Sequence, residues 1–229
     1  SIDACNTNKI IPNKNDKWIN ILGKKTTKPN SHHIFKISKK LVFTHIRLNI
    51  FPDGGVARLR VYGTMKLKKN FKKRKINLMS LLDGAVPIAC NNEHFGRAEN
   101  VLAPGKGINM GDGWETRRSR GKNFDWLILK CAASGVIDKL QIDTHHFKGN
   151  FPDKCSVQAG YIKIKSSPKS IVNKSKSWKF ILGKSKLKAH KEHNFKITNN
   201  NKRVVNYIRI NIFPDGGISR LRAFGAVKI

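Results

Sequence analysis

Acidic residues are scarce in this chain, which carries 14 aspartates and glutamates against 46 lysines and arginines, for a formal net charge of +32. It also lacks any apolar run of about 18 residues, which excludes a membrane-spanning helix. The four cysteines, Cys5, Cys90, Cys131 and Cys155, show neither C-x-x-C spacing nor a paired Cys/His layout, so a zinc site is not indicated. We therefore expect reduced thiols, a cytoplasmic location and no cofactor, while dependence on a metal stays open.

The positive charge is distributed unevenly between lysine and arginine. Lysines crowd into segments that look like loops, whereas most arginines lie in three places: Arg47, Arg58 and Arg60; Arg209, Arg220 and Arg222; and Arg117, Arg118 and Arg120. Arginine is the residue suited to bidentate binding of a carboxylate or phosphate. Because no RNA- or DNA-binding motif accompanies the charge, we do not expect a nucleic-acid partner.

One stretch occurs twice, at residues 46–63 and again, nearly identical, at residues 208–225. The match extends backwards, so that residues 1–67 correspond to residues 156–229, whereas residues 76–155 have no counterpart upstream. We therefore predict the C-terminal half of one repeat at 1–67, a lysine-rich linker at 68–75 and a complete repeat at 76–229. Half a sandwich would expose an apolar face. We expect the native protein to supply the missing half; completion by a neighbouring chain, and so a homo-oligomer, is the open alternative.

Each copy of the stretch predicts a β-hairpin. Ile46, Leu48 and Ile50 alternate with polar residues, and Pro-Asp-Gly-Gly at 52–55 is turn chemistry. The return strand places its arginine pair, Arg58 and Arg60, on the face away from the core. In the second copy that pair is Arg220 and Arg222. A solvated face and an anion-facing role remain open for both pairs.

The rest of the complete repeat reads as short strands separated by turns. Residues 87–90 and 126–131 look like buried strands, residues 136–144 alternate in polarity, and only residues 76–82 suggest a turn of helix. This pattern predicts an all-β fold, an antiparallel sandwich or barrel, with functional residues on the loops at one end.

Three loop segments, at 91–100, 105–121 and 143–150, gather polar groups suited to chemistry. Their carboxylates are Glu93, Asp112, Glu115 and Asp143, and their imidazoles are His94, His145 and His146. Arginines could bind a small anionic substrate, while a carboxylate or imidazole activates water or protonates a leaving nitrogen. The structural alternatives are a salt bridge from Asp143 to an arginine and a hydrogen-bonded, non-catalytic His146.

These motifs resemble the allantoicase (allantoate amidinohydrolase) family. The resemblance rests on both copies of the repeated stretch, on residues 110–118 and 142–152, and on residues 30–33. It implies tandem jelly-roll β-sandwich domains of the galactose-binding, discoidin-like type, the first incomplete in this chain. The implied activity is hydrolysis of allantoate to ureidoglycolate and urea in purine catabolism, provided that the native protein supplies the missing half of the first domain.

The family's chemistry suggests roles for the loop residues, all hypotheses. We expect Arg117, Arg118 and Arg120 to bind the carboxylate and the ureido carbonyls of the substrate. Glu93 is also expected to contact the substrate. Water activation and proton delivery to urea are shared by Glu115, Asp143 and His146. Asp112 and Trp114 shape the pocket.

Departures from the family pattern favour a second interpretation. Asn92 stands where the family commonly has an acidic residue, and the lysine content exceeds what the family requires. The first repeat also lacks its own copy of the 114–118 and 143–147 loops, so an active site between the two domains would be inactive in this chain. The alternative function is an inactive jelly-roll binding module for an anionic ligand, a glycan or an acidic partner.

Overall fold

The computed structural model describes residues 1–64, 66, 75–119, 123–164 and 166–228, except the side chain of Asn199. The chain divides into two compact units, Ser1–Lys66 and Leu67–Ile229. The predicted linker at 68–75 lies outside the described residues apart from Lys75, which begins a strand and whose Nζ lies 3.1 Å from the Asp138 carboxylate.

The first unit is a small antiparallel sheet. Its strands are β1 (Ile2–Cys5), β2 (Ile19–Leu22) and β3 (His45–Leu48), in the order β2-β1-β3. Ile2, Ala4 and Ile21 form its buried core. The return strand predicted over 57–61 is wrong for this unit, because residues 49–64 form no strand.

The second unit is an all-β sandwich, as predicted. Its strands are β4 (Lys75–Asn77), β5 (Val86–Cys90), β6 (Trp114–Glu115), β7 (Asp125–Asp143), β8 (Lys154–Gly160), β9 (Lys179–Lys186), β10 (Glu192–Lys196), β11 (Val204–Phe213), β12 (Gly217–Ile218) and β13 (Arg220–Val227). One helix, α1 (Pro168–Ser175), joins β8 to β9, and short 3-10 helices cover Leu81–Asp83, Ala98–Leu102, Met110–Asp112 and Asn199–Asn201. The helical turn predicted over 76–82 is therefore wrong at its start, which is strand β4.

Strand β7 belongs to both sheets of the sandwich. Its first half pairs with β5 and β11, and its second half pairs with β10 and β13. Ile212 pairs with Asp125, and Arg220 pairs with Asp143. A straight strand of 19 residues would be about 60 Å long, whereas the chain between Ile212 and Arg220 spans at most about 28 Å. Strand β7 must therefore fold back, which brings Asp125 and Asp143 to the same end of the sandwich.

This topology corrects the hairpin prediction for the second copy. Strands β11 and β13, its two arms, each pair with β7 rather than with each other. The turn at Pro214 therefore carries the chain from one sheet to the other. The segments predicted at 126–131 and 136–144 are confirmed as strand, but they form one continuous strand instead of two.

The apolar faces of the two sheets enclose one core. Leu127 and Leu129 from the first half of β7 meet Leu140 and Ile142 from its second half, together with residues of β8, β11 and β13. Helix α1 begins after Ser167, whose hydroxyl accepts a hydrogen bond from the Ser170 amide, and it buries Ile171 against a smaller cluster. None of the helices among the described residues is long and apolar enough to cross a membrane.

Candidate active site

Loops from both sheets meet at the end of the sandwich where β7 begins and ends. Strand β6 pairs with β12, which ties the loop at 91–119 to the turn between β11 and β13. A methyl group on Gly217 would overlap the Phe147 ring, so this position needs glycine. The short β6–β12 ribbon thus connects the 91–119 loop with the turn between β11 and β13, and Gly217 packs against Phe147 of the 143–150 loop.

An open cavity of about 440 Å³ lies beside the end of β5 and the start of β7. We call it the arginine cavity. Its lining consists of Asn91, Asn92, Arg117, Arg118, Ser119, Asn123, Phe124, Asp125 and Trp126. The volume falls within the range of about 300–1,000 Å³ typical of small-molecule sites. The arginine cavity joins two guanidinium groups with three carboxamides, a combination suited to a small carboxylate that carries amide-like groups.

Side-chain amides hold the wall of this cavity in place. Asn91 donates from Nδ2 to Asp125 Oδ1 at 2.6 Å, and its Oδ1 accepts from the Trp126 amide at 2.7 Å. Asn92 Oδ1 accepts from the Arg117 amide at 3.1 Å. The side-chain carboxamide of Asn92 therefore fixes the backbone at Arg117, where the arginine segment starts. The family pattern predicted an acidic residue at position 92.

Asp125 is the buried carboxylate of the arginine cavity. Its side chain is bound through Oδ1 by Asn91, and the residue is only 7% exposed. The second oxygen, Oδ2, is shielded from water and has no hydrogen-bond partner among the described residues. Sequence reasoning missed Asp125, because between Phe124 and Trp126 it reads as the start of a buried strand.

Beneath the cavity, the repeated arginine Arg209 supports Trp126. Its guanidinium lies 4.7 Å from the Trp126 ring centroid, and it donates to Asn211 Oδ1 and Ser175 Oγ, both at 2.9 Å. Burial lowers the pKa of Arg209. In the first unit the equivalent Arg47 lies 4.5 Å from the Trp18 ring and 2.9 Å from Asp3. Both copies of this arginine therefore stack on an aromatic ring.

A second group of titratable side chains lies at the end of β7. This histidine cluster consists of His145, His146 and His190 with Asp143. Asp143 is 2% exposed, and its Oδ1 accepts from the His145 amide at 2.9 Å and from His145 Nδ1 at 2.6 Å. His145 Nδ1 must carry the proton of that bond while the carboxylate is ionised, which leaves Nε2 as the basic nitrogen of neutral His145.

The other two imidazoles make different bonds. His146 Nε2 donates to the Gly107 carbonyl oxygen at 2.9 Å, and the His146 amide donates to His190 Nδ1 at 2.9 Å. The pKa of His190 is lowered, first by partial desolvation and then by the charges of His145 and Lys148. The imidazole bound to Asp143 is thus His145, and the predicted His146 instead anchors the loop at Gly107.

Asp112 and Arg220 form an ion pair next to this cluster. The two side chains approach to 2.6 Å, and the Ile108 amide also donates to the Asp112 carboxylate at 3.1 Å. Burial alone would raise the pKa of Asp112, but the hydrogen bond from Arg220 and the nearby positive charges lower it. The ion pair therefore fixes the 105–113 loop over strand β13.

In the comparison with known protein families, residues 1–66 and 76–228 match the family model described as the allantoicase repeat. The chain belongs to the allantoicase family. It is 44% identical over 229 residues to "Probable allantoicase 1" of Burkholderia mallei, covering 99% of this chain and 68% of the relative. It is 44% identical to "Probable allantoicase" of Photobacterium profundum, covering 98% of this chain and 68% of the relative.

Solved structures agree with this allantoicase assignment. The allantoicase of Saccharomyces cerevisiae superposes with a TM-score of 0.82 and 34% identity, over 98% of this chain and 66% of that one. A fucolectin from striped bass (Morone saxatilis) serum, at 10% identity and a TM-score of 0.50 over 66% of this chain and 49% of that one, shows the shared galactose-binding-like fold alone. The chain spans about two thirds of the length of the allantoicases it matches.

The predicted site residues of this allantoicase-family chain fall into two groups. Arg117 and Arg118 line the arginine cavity, whose described lining does not include Asp143 or His146. Asp112, Asp143 and His146 lie in and beside the histidine cluster. Both groups lie at the same end of the sandwich.

The remaining predicted residues of the allantoicase site take other positions. Trp114 is fully buried and donates from Nε1 to the Asn92 carbonyl oxygen at 2.8 Å. Glu93 accepts from the Ala98 amide at 2.9 Å, and Glu115 accepts from the Asn150 side chain. Arg120 lies outside the described residues. No three His, Cys, Asp or Glu side chains within the described ranges are arranged to hold a metal ion.

The repeated arginine pair differs between the two units. Arg58 and Arg60 are exposed in the first unit. In the second unit Arg220 is 3% exposed, so the solvated-face interpretation is wrong there. Arg222 donates to the carbonyl oxygens of Val101, Ala103 and Gly105, and its pKa is lowered, first by burial.

Proposed function

We propose that this chain hydrolyses allantoate to ureidoglycolate and urea, a step of purine catabolism, and that the arginine cavity binds the substrate. Membership of the allantoicase family and the likeness to the yeast structure support the activity. The observation that carries the choice of site is the meeting of Arg117 and Arg118 with Asn91 and Asn92 in one cavity.

Allantoate carries one carboxylate and two ureido groups on a single carbon. Arg117 and Arg118 would bind the carboxylate, because guanidinium donors match two carboxylate oxygens at once. The Asn91 and Asn92 carboxamides line the same cavity, and a second N–H of Asn91 Nδ2 and the N–H groups of Asn92 Nδ2 can donate to a ureido carbonyl oxygen. The cavity therefore offers groups complementary to each part of the substrate.

For water activation we propose His145, held by Asp143. A buried carboxylate that accepts from Nδ1 fixes the tautomer and leaves Nε2 free to take a proton. His145 is not among the residues that line the arginine cavity, so this role requires a substrate that extends from the cavity to the histidine cluster at the same end of the sandwich. The roles first assigned to Glu115, Asp143 and His146 stay predictions, and His145 joins them.

The test is urea release from allantoate by the 229-residue chain. Arg117→Ala should lower kcat/KM by about 10- to 100-fold, mainly through KM, because one charged hydrogen-bonding partner of the carboxylate is lost. In the same assay His145→Gln should lower kcat by about 100-fold or more if this imidazole is the general base.

The matched control is Arg97→Ala, since Arg97 is exposed and lies 3.5 Å from Glu99, outside both groups of site residues. An unchanged kcat/KM in Arg117→Ala would contradict the substrate site, and an unchanged kcat in His145→Gln would remove His145 from the reaction. A wild-type chain that binds allantoate without releasing urea would favour the alternative, an inactive binding module. Three expectations stay predictions. They are that nucleic acid is not a partner, that the chain can form a homo-oligomer, and that the protein is cytoplasmic.

A further inference from the structure

The starting observation is the unsatisfied oxygen of Asp125. Buried acceptors are nearly always hydrogen-bonded, and one that is not calls for an explanation. Asp125 lines the arginine cavity, yet its Oδ2 is shielded from water and has no donor among the described residues. A bound ligand that displaces the side chains covering this oxygen would supply the missing donor.

The position of this oxygen is fixed from two sides. Asp125 is the first residue of strand β7 and pairs with Ile212 of β11, which holds its backbone. Asn91 occupies Oδ1 at 2.6 Å, and Asn91 is itself held by the Trp126 amide at 2.7 Å. The carboxylate therefore has one oxygen committed to the protein and one left for another donor.

The chemistry of the cavity limits what that donor can be. An ionised carboxylate only accepts hydrogen bonds, so the ligand group facing Asp125 must carry N–H or O–H. Arg117 and Arg118, on the same cavity, would repel a cation but would bind a ligand carboxylate. A ligand that suits both parts has an anionic end and, a short distance away, a neutral N–H donor.

We infer that Asp125 determines specificity for the ureido group, accepting a hydrogen bond at Oδ2 from the terminal ureido NH2 while the arginines bind the carboxylate. This inference rests on the proposed function, because it places the substrate in the arginine cavity. A ligand whose ureido NH2 is replaced by a methyl group would leave Oδ2 unpaired, and the site would discriminate against it.

The experiment compares two small probes by isothermal titration calorimetry on the full 229-residue chain. N-carbamoylglycine and N-acetylglycine share the carboxylate and differ by a terminal NH2 in place of CH3. Wild type should bind N-carbamoylglycine about 10- to 100-fold more tightly, the gain of one charge-assisted hydrogen bond. Asp125→Asn keeps the size of the side chain and an oxygen for Asn91, but it turns the free acceptor into a donor.

Asp125→Asn should therefore lose the preference for N-carbamoylglycine while its affinity for N-acetylglycine stays within about twofold of wild type. Asp153→Asn is the matched control, because Asp153 is half-exposed and faces Lys154 and Lys186 instead of the cavity. It should leave both affinities unchanged. A preference that persists in Asp125→Asn would overturn the inference.

A measurement on wild type covers the case in which Asp125→Asn fails to fold. With aspartate carboxyls labelled with ¹³C, N-carbamoylglycine should shift one buried carboxyl resonance that N-acetylglycine leaves in place. No such shift, or equal affinity of wild type for both probes, would overturn the inference and leave the proposed function to the urea assay. If neither probe binds, the carboxylate site of the proposed function fails, and this inference fails with it.

Discussion

At the scale of single residues, the neighbouring histidines His145 and His146 show how the backbone decides chemistry. His146 has a left-handed φ of 71°, which separates its side-chain direction from that of His145. His145 consequently binds Asp143, whereas His146 donates to Gly107. The sequence places two imidazoles after an aspartate, but nothing in it says which of them the carboxylate binds.

The lowered pKa values of His190 and His193 predict a pH dependence of stability. For His190, which is exposed, partial desolvation comes first and the charges of His145, Lys148 and His146 add to it, while Asp143 opposes it. For His193 burial comes first and the charge of Lys191 adds to it, while the hydrogen bond to the Ile142 carbonyl oxygen and the charge of Asp143 oppose it. The unfolded chain, with histidine pKa near 6.5, then binds more protons than the folded chain just below that pH. Their contribution to stability is therefore complete above about pH 6.5 and is lost as the pH falls through the lowered values.

Denaturant unfolding at pH 5.0, 6.0 and 7.5 measures this effect. The free energy of unfolding of wild type should fall on acidification, and the double variant His190→Gln/His193→Gln should show a flatter dependence. A double variant with the same slope as wild type would show that these imidazoles do not carry the effect.

At the scale of elements, strand β13 fixes the loop that approaches the site. Arg222 donates to three carbonyl oxygens, those of Val101, Ala103 and Gly105. A lysine has a single ammonium group and cannot reach all three with the same geometry. The arginine thus serves as a framework for the loop between the 3-10 helix Ala98–Leu102 and the ion pair at Asp112.

Arg222→Lys should lower the free energy of unfolding by about 1–3 kcal/mol, because the partly buried carbonyl oxygens of Val101 and Ala103 lose their donor. The repeat supplies a matched control: Arg60, the counterpart in the first unit, is exposed, so Arg60→Lys should change stability by less than about 0.5 kcal/mol. Chemical denaturation of both variants tests the pair. Equal losses would contradict the framework role.

The elements also show what the sequence could predict. Alternating polarity and apolar runs identified the strand segments at 126–131 and 136–144, since that signal is local. The pairing of β11 and β13 with β7 was missed, because a Pro-Gly turn between two alternating segments looks the same whether the arms pair or separate. Helix α1 was also missed, since its lysine-rich sequence reads as a loop.

At the scale of the whole molecule, the two units bury equivalent residues to different degrees. Leu48 and Leu59 are 37% and 46% exposed in the first unit, whereas their counterparts Ile210 and Leu221 are 1% exposed. In the second unit, strands contributed by residues 75–143 cover this face. The repeat was readable from sequence, but the amount of apolar surface that each copy buries depends on which strands are present to cover it.

Leu221→Ala should destabilise the 229-residue chain by about 2–5 kcal/mol, the cost of a cavity in a closed core. Leu59→Ala should cost less than about 0.5 kcal/mol, because its side chain is already half-exposed. Thermal and denaturant unfolding of the two variants compares them directly. Similar losses would mean that the face around Leu59 is covered in solution.

The site could be predicted in part. Arg117, Arg118 and Asp143 lie in segments rich in charge and glycine, which mark loops at the end of a sandwich. Asp125 and Asn91 escaped detection because each borders a buried strand, where a polar residue looks like a boundary. Their contact depends on the pairing of β5 with the start of β7, which neither segment shows by itself.

The position of the ligand is the most direct test of this account. A crystal structure of the chain soaked with N-carbamoylglycine should show its carboxylate about 2.7–2.9 Å from guanidinium nitrogens of Arg117 or Arg118, with the ureido group towards Asp125. Electron density for the ligand beside Asp143 and His145, with the arginine cavity empty, would contradict the account.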